Sequence, residues 1–281
     1  MQSASQTIPF EVFTRLRDFI REKLGIHFGD NKAAFLEKRV LQRLQFLDIS
    51  SFKEYYHHLR YADRDGFELQ ALTDLITTNE TYMFREFEQL EAFANSCLPE
   101  VYEKKRKQGD ATLRIWSAGC STGEEPYTLA IILMEVLDDY REFEIEIVAT
   151  DVDTRALERA KTGYYLDRSV KHVPKDYYGR HLQFNGKEHT VLPDTRKLVR
   201  FEHLNLSDRR AMRRHRGYDF IFCRNVLIYF DELARKNVVD HFYVALNRDG
   251  YVFLGHSESI GRISNAFHLK KMNNHLVYSK S

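Results

Sequence analysis

The chain lacks any uninterrupted apolar stretch approaching the ~20 residues that a membrane-spanning helix requires, and its mean hydropathy of −0.50 argues against a membrane-embedded body. Residues 1–6 carry neither a charged n-region nor an apolar h-region, so no secretory signal is expected and the chain reads as cytoplasmic, without direct membrane insertion. Cysteine is scarce: Cys97, Cys120 and Cys223 are too few and too widely spaced for a zinc or disulfide framework. They read as buried thiols in a reducing compartment, and no metal is expected. A net charge of +1 gives no reason to expect nucleic acid or an anionic membrane as partner. There is no internal repeat and no low-complexity segment.

What is present suffices for a real core: 281 residues, 43% hydrophobic and 13% aromatic, can hold one large α/β domain and a smaller one. The organising stretch is 113–127. It consists of an apolar run (Leu113, Ile115, Trp116), a small-residue loop (117–123) and Glu124-Glu125-Pro126 opening a helix apolar at Leu129, Ile132, Leu133 and Val136. This pattern delivers a parallel strand to a helix N-terminus, with glycines that let the turn pass close to a ligand. A phosphate is not expected there, because two glutamates occupy the place of the anion and no Gly-Lys-Ser/Thr ending follows. A second strand, 144–153, ends in Asp151, placed to accept hydrogen bonds from ribose hydroxyls. An acidic loop with a ribose acid suits a nucleoside bearing a positively charged tail, such as S-adenosylmethionine.

Upstream, 8–78 reads as helices without strands. Phe10, Phe13, Leu16, Phe19, Ile20 and Leu24 recur at helical spacing until Gly25 stops them. Asp30 is placed to cap a second helix with Phe35, Leu36, Val40, Leu44 and Leu47 on its apolar face. Lys38, Arg39, Gln42 and Arg43 lie on the other face, which is either a solvated surface or a docking surface for an acidic helix. Ser50 or Ser51 opens a third helix, and Phe67, Leu69, Leu72, Leu75 and Ile76 suggest a fourth. Residues 88–106 read as one long helix leading to the first strand.

Downstream, a short helix over 154–161 stops at Gly163. The hairpin pattern 182–192 around Asn185-Gly186 implies an inserted small β-subdomain over about 170–198. Core strands follow at 198–206, at 218–225 and, after a turn at Asn247-Arg248-Asp249-Gly250, at 251–255; Asp231 caps the helix between the last two. A terminal hairpin turns at Asn273-Asn274. The alternation implies an α/β fold: a doubly wound parallel sheet that binds ligands at its strand C-termini, with an inserted small β-subdomain and an N-terminal helical bundle. The expected division is a bundle at 1–78, a junction segment and linker helix at 79–111, and a catalytic domain at 112–281.

Five segments, in order, carry a resemblance: Thr77-Thr78-Asn79-x-Thr81-x-x-Phe84-Arg85-Glu86; Ser121-Thr122-Gly123-Glu124-Glu125-Pro126-Tyr127; Ala149-Thr150-Asp151-Val152-Asp153; Phe222-Cys223-Arg224-Asn225-Val226-Leu227-Ile228-Tyr229-Phe230; and Gly255-His256-Ser257-Glu258. Together they resemble the chemotaxis receptor methyltransferases called CheR, which implies that the doubly wound sheet is of the S-adenosylmethionine-dependent methyltransferase type. The resemblance implies methyl transfer from S-adenosylmethionine to glutamate side chains of transmembrane chemoreceptors, yielding γ-glutamyl methyl esters and S-adenosylhomocysteine. It further implies a monomer whose partner is the cytoplasmic helical region of such receptors. Asn79, Thr81 and Arg85 match the cofactor-contacting junction. Glu124 matches the loop acid and Asp151 the ribose acid, while Asn205, Leu206, Arg224, Asn225 and Val226 match the segments that close on adenine and methionine. Arg85 and Tyr229 match the pair near the transferred methyl, and Lys38, Arg39 and Arg43 become candidates for receptor docking. A nucleic-acid methyltransferase of this fold would carry an Asn-Pro-Pro-Tyr-type tetrad, whereas Asn225-Val226-Leu227-Ile228 stands here. A non-catalytic adaptor would have no need of Arg85 and Tyr229.

Overall fold

The computed structural model describes residues 7–261, 263–272 and 275–280. They form two compact units: the residues up to Thr78 together with Tyr229–Ala234, and Asn79–Ile228 together with those from Arg235 onward. The expected division keeps 229–234 within 112–281. The expectations for 1–6 and for the turn at Asn273-Asn274 lie outside the described residues.

In the first unit, α1 (Phe10–Leu24) buries Phe13, Leu16, Phe19, Ile20 and Leu24 on one stripe, and Gly25 ends it at φ 72°. Asp30 does not cap the second helix. It opens a 3₁₀ turn, Asp30–Lys32, and its carboxylate accepts Nη1 of Arg17 at 2.7 Å, so α2 (Ala33–Leu47) begins after it. The hydroxyl of Ser51 accepts the Glu54 N–H at 3.2 Å and caps α3 (Phe52–His57), and α4 (Phe67–Ile76) packs on α2.

The basic face of α2 differs from its expected form. Lys38 is exposed, and Arg39 is half-buried with its guanidinium 5.1 Å from the Phe35 ring centroid. Arg43 is not part of an exposed face: its Nε and Nη2 donate to Glu68 at 2.9 and 2.7 Å. The Tyr55 hydroxyl donates to the same carboxylate at 2.7 Å. Helical spacing puts Arg43 beside Arg39, but Glu68 of α4 is 6% exposed and needs a cation.

In the second unit, α5 (Phe87–Ala92) and α6 (Leu98–Gln108) form the expected long helix, interrupted by a π turn at Phe93–Cys97. Pro99 explains the interruption, since it offers no N–H to the preceding turn and its ring crowds the carbonyl four residues back. In that turn the Phe93 ring meets Phe220, Phe222 and Phe253 edge-on, at 5.1, 5.1 and 5.8 Å, which seats the helix on the sheet.

The remaining elements are β1 (Thr112–Ala118), α7 (Glu124–Val136), β2 (Glu144–Asp151), α8 (Thr154–Thr162), β3 (Tyr164–Tyr165), α9 (Asp167–Val170), β4 (Leu182–Phe184), β5 (His189–Val191), α10 (Pro193–Arg196), β6 (Val199–His203), α11 (Arg209–Met212), β7 (Tyr218–Cys223), α12 (Glu232–Ala245), β8 (Leu246–Leu254), β9 (His268–Met272) and β10 (His275–Ser279). The large sheet runs β6-β2-β1-β7-β8-β10-β9. Its first five strands are parallel and the terminal hairpin is antiparallel. The chain moves outward from β1 through β2 to β6, then returns to the other side of β1 with β7. That reversal puts the switch point, where such sheets bind ligands, at the carboxyl ends of β1 and β7.

Two boundaries differ from the expected ones. The small sheet, in order β3-β5-β4, begins at Tyr164 rather than near 170, because a two-residue strand carries no alternation to read. Residues 247–250 lie within β8 and not in a turn ahead of it. The β7–β8 register shifts there, and a Cβ on Gly250 would stand 2.8 Å from the Asp219 carbonyl oxygen. Among the described residues no helix is long and apolar enough to cross a membrane.

Arg43→Ala should destabilise the first unit by about 3–5 kcal/mol, since it strands a buried carboxylate. Lys38→Ala should change stability by less than about 0.5 kcal/mol. Urea denaturation of both variants checks this, and an Arg43 variant as stable as the parent would return that residue to the solvated face.

Candidate cofactor site at the strand ends

The loop after β1 is shaped by backbone that only glycine tolerates. Gly119 and Gly123 sit at φ 88° and 91°; a Cβ would lie 2.4 Å from Val226 Cγ2 at the first, and 2.8 Å from Ala160 Cβ at the second. The N–H groups of Gly119 and Cys120 donate to the Thr150 carbonyl at 2.8 and 2.9 Å, which ties the loop to β2. Ser121, itself left-handed at φ 49°, donates its N–H to Asp151 Oδ2 at 2.7 Å and its hydroxyl to Asn79 Oδ1 at 2.8 Å.

The other oxygen of Asp151 accepts the Asp153 N–H at 2.9 Å. Asp153 caps α8 through the Ala156 N–H at 2.9 Å and accepts Asn79 Nδ2 at 2.7 Å. Asn79, Ser121, Asp151 and Asp153 are thereby one knot. Asn79, expected in the junction, belongs to it; Ser121 and Asp153 were not singled out as site residues. Burial pushes the Asp151 carboxyl up to about 6, against the pull of its backbone hydrogen bonds.

Glu124 is buried at the start of α7 and accepts the Thr122 hydroxyl at 2.6 Å. Burial raises its carboxyl above the ordinary range. Glu125, passed over in the sequence, is held higher too, again by burial, although Arg224 opposes the shift. It accepts the Ser117 hydroxyl at 2.7 Å and faces Nη1 of Arg224 at 3.3 Å.

Beyond β7, Asn225 is left-handed at φ 60°. Its N–H donates to Glu258 at 2.8 Å, as do those of Gly255 at 2.7 Å and Ile228 at 3.2 Å. A Cβ on Gly255 would lie 2.7 Å from the Asn225 nitrogen, so the fifth sequence segment serves to shape the fourth. The Asn225 side-chain oxygen is buried without a partner. Val226 packs over Gly119. Arg224 is buried, and its Nη2 and Nη1 stand 3.3 Å from the carboxylates of Glu86 and Glu125. Past β6, the Asn205 side chain accepts the Ser207 N–H at 2.9 Å, and Leu206 is buried. Thr81 is half-buried. Arg85 donates Nη1 to the Glu80 carbonyl at 2.9 Å and stands 5.8 Å from the Tyr82 ring centroid. Tyr229 belongs to the first unit; it is 39% exposed and its carbonyl accepts the His27 N–H at 2.8 Å.

An amide oxygen buried without a donor, and buried carboxylates whose protonation is favoured, call for a ligand that brings N–H groups, hydroxyls and positive charge. S-adenosylmethionine brings an ammonium, an adenine amino group, ribose hydroxyls and a sulfonium, and it fits. Among the described residues no group of three His, Cys, Asp or Glu side chains could hold a metal ion.

Residues 79–276 match the family model "CheR methyltransferase, SAM binding domain", and residues 11–77 match "CheR methyltransferase, all-alpha domain". Chemotaxis protein methyltransferase 2 of Vibrio cholerae is 40% identical over 269 residues, covering 95% of this chain and 92% of its own. The chemotaxis protein methyltransferase of Borreliella burgdorferi is 36% identical over 249 residues, covering 88% and 87%. That of Escherichia coli is 32% identical over 262 residues, covering 92% and 87%.

Glu258→Ala should lower cofactor affinity by roughly 10- to 100-fold, because three N–H groups lose their acceptor and the Asn225 turn relaxes. Titration calorimetry with S-adenosylhomocysteine measures it. Unchanged affinity in a folded variant would show that the turn holds its shape without Glu258.

Proposed function

The chain belongs to the CheR methyltransferase family and is an S-adenosylmethionine-dependent methyltransferase of chemotaxis; from that premise we propose that it methylates glutamate side chains of transmembrane chemoreceptors. The products would be γ-glutamyl methyl esters and S-adenosylhomocysteine. The observation that carries the reading is the match to both family models, in order and nearly end to end, with buried acids at the carboxyl ends of β1 and β2.

When bound, S-adenosylmethionine supplies a methyl group made electrophilic by its sulfonium. In this reading Asp151 accepts hydrogen bonds from ribose hydroxyls, Glu124 supplies negative charge beside the loop, and the Asn225 amide oxygen takes an N–H donor. Asn79 and Thr81 line the junction, and Asn205, Leu206 and Val226 enclose the base and the tail. The acceptor glutamate, with an ordinary pKa of ~4.3, arrives ionised, so the chain needs no general base. Its tasks are to exclude water and to align a carboxylate. Arg85 can hold that carboxylate through paired N–H groups, and the Tyr229 hydroxyl donates to it beside an apolar ring. Lys38 and Arg39 steer an acidic receptor helix onto α2, while Arg43 is committed to Glu68. The reaction takes place on the cytoplasmic region of the receptor, with the enzyme acting as a monomer.

The test is methylation of a purified receptor cytoplasmic fragment with methyl-labelled cofactor. The label should leave as methanol in alkali, as a carboxyl ester requires. Tyr229→Phe should lower kcat by about tenfold, ~1.4 kcal/mol of transition-state stabilisation, with cofactor affinity unchanged. Alkali-stable label, or no transfer to the fragment, would overturn the reading.

A further inference from the structure

Arg85 sits between two residues with backbone that L-amino acids avoid: Phe84 at φ 59° and Glu86 at φ 54°. Each costs about 1–2 kcal/mol, and such conformations persist only where the surroundings over-determine them. Here they do. The Met83 N–H donates to the Ser169 carbonyl at 2.7 Å and the Phe84 N–H to the Thr128 hydroxyl at 3.1 Å. The Glu86 carbonyl accepts the Gln89 N–H at 3.0 Å. The Arg85 carbonyl accepts Nη2 of Arg224.

Arg224 makes this turn depend on the rest of the sheet. It comes from the end of β7 with its side chain 3% exposed, and its Nη2 also stands 3.3 Å from Glu86 Oε2. On the other side its Nη1 stands 3.3 Å from Glu125 Oε2, and Glu125 is anchored by the Ser117 hydroxyl at the end of β1. One guanidinium thus joins the ends of β1 and β7, the first turn of α7 and the turn that carries Arg85. A pair kept for stability alone would be a poor choice at this depth, since burying charges costs as much as their attraction returns. The Nε of Arg224 is also buried without a partner, a cost the arrangement carries.

We propose that Glu125, Arg224 and Glu86 form a positioning triad, which fixes the turn so that the Arg85 guanidinium presents its donors to the acceptor carboxylate. This deepens the reading above and rests on Arg85 acting on that carboxylate. The triad touches neither substrate nor cofactor; it acts through the Arg85 carbonyl and the left-handed residue that follows.

The test is a double-mutant cycle between Glu86→Gln, which keeps the side chain's shape, and Arg85→Ala. The readouts are kcat and KM on the receptor fragment, with circular dichroism and S-adenosylhomocysteine affinity as checks on the fold and the cofactor site. Glu86→Gln should lower kcat by roughly 10- to 100-fold, the scale of a small misplacement of a positioned group, with S-adenosylhomocysteine affinity altered less than about threefold. Glu125→Gln should act the same way from the opposite side of Arg224. In the Arg85→Ala background Glu86→Gln should cost nothing further, because there is no guanidinium left to position. If Arg85→Ala alone leaves kcat unchanged, the role of Arg85 fails and the triad fails with it. If Arg85→Ala lowers kcat but Glu86→Gln is neutral, or adds its full effect in the double variant, the positioning proposal fails while the role of Arg85 stands. A Glu86→Gln protein that has lost its fold by circular dichroism would show that the triad holds the domain together, and would overturn the proposal.

Discussion

The site depends on a carboxylate buried at the end of a strand. Asp151 satisfies its oxygens with the N–H groups of Ser121 and Asp153, and in doing so it sets both the loop after β1 and the start of α8. The protein does not cancel that charge. Glu124, at the head of α7, repeats the condition, raised by burial, whereas Glu125 beside it is paired with Arg224. A helix N-terminus of this kind ordinarily attracts phosphate. Asp151 and Glu124 beside it favour hydroxyls and cations instead.

Around this charge the geometry is built from backbone. Gly119 and Gly123 admit neighbours that a Cβ would displace, and Gly255 lets Asn225 come close enough for Glu258 to hold both their N–H groups. The left-handed residues Phe84 and Glu86 flank Arg85 in the turn before α5, and Ser121 and Asn225 lie in the turns after β1 and β7. Strain concentrated at a site, and held by hydrogen bonds from several strands, keeps the site in shape before any ligand arrives.

Local signals were legible in the sequence. Glycines at 25 and 163 end α1 and α8 in left-handed conformations, as helix stops should. The apolar runs marked the core strands, and Asp151 stands at the end of β2 as expected. Pairings across the chain were not legible. Periodicity put Arg43 on a polar face, but Glu68, twenty-five positions on, draws it inward. Glu258 stands in a quoted segment, yet nothing local says that its partner is Asn225, thirty-three positions back. Nothing local distinguishes Glu125 from Glu124; its partner Arg224 lies ninety-nine positions on. Short strands and bulges escaped for a related reason: two residues of β3 show no period, and the shift at 247–250 is a property of the β7–β8 ladder.

The central claim, that buried acid charge at the end of β2 is what the cofactor meets, is open to a direct measurement. Burial places the Asp151 carboxyl at about 6, above its unfolded value, so the free folded protein takes up a proton there as pH falls through that value. Its contribution to stability therefore grows as pH drops from about 6 toward about 4 and is lost again as pH rises. Ribose hydroxyls donate to the ionised form, so binding near pH 6 must expel protons and weaken as the solution is acidified. Calorimetry of S-adenosylhomocysteine binding at about pH 6, in buffers of different ionisation enthalpy, counts those protons. The account predicts release of about half a proton per site, abolished in Asp151→Asn; no release, or equal release from the variant, would contradict it.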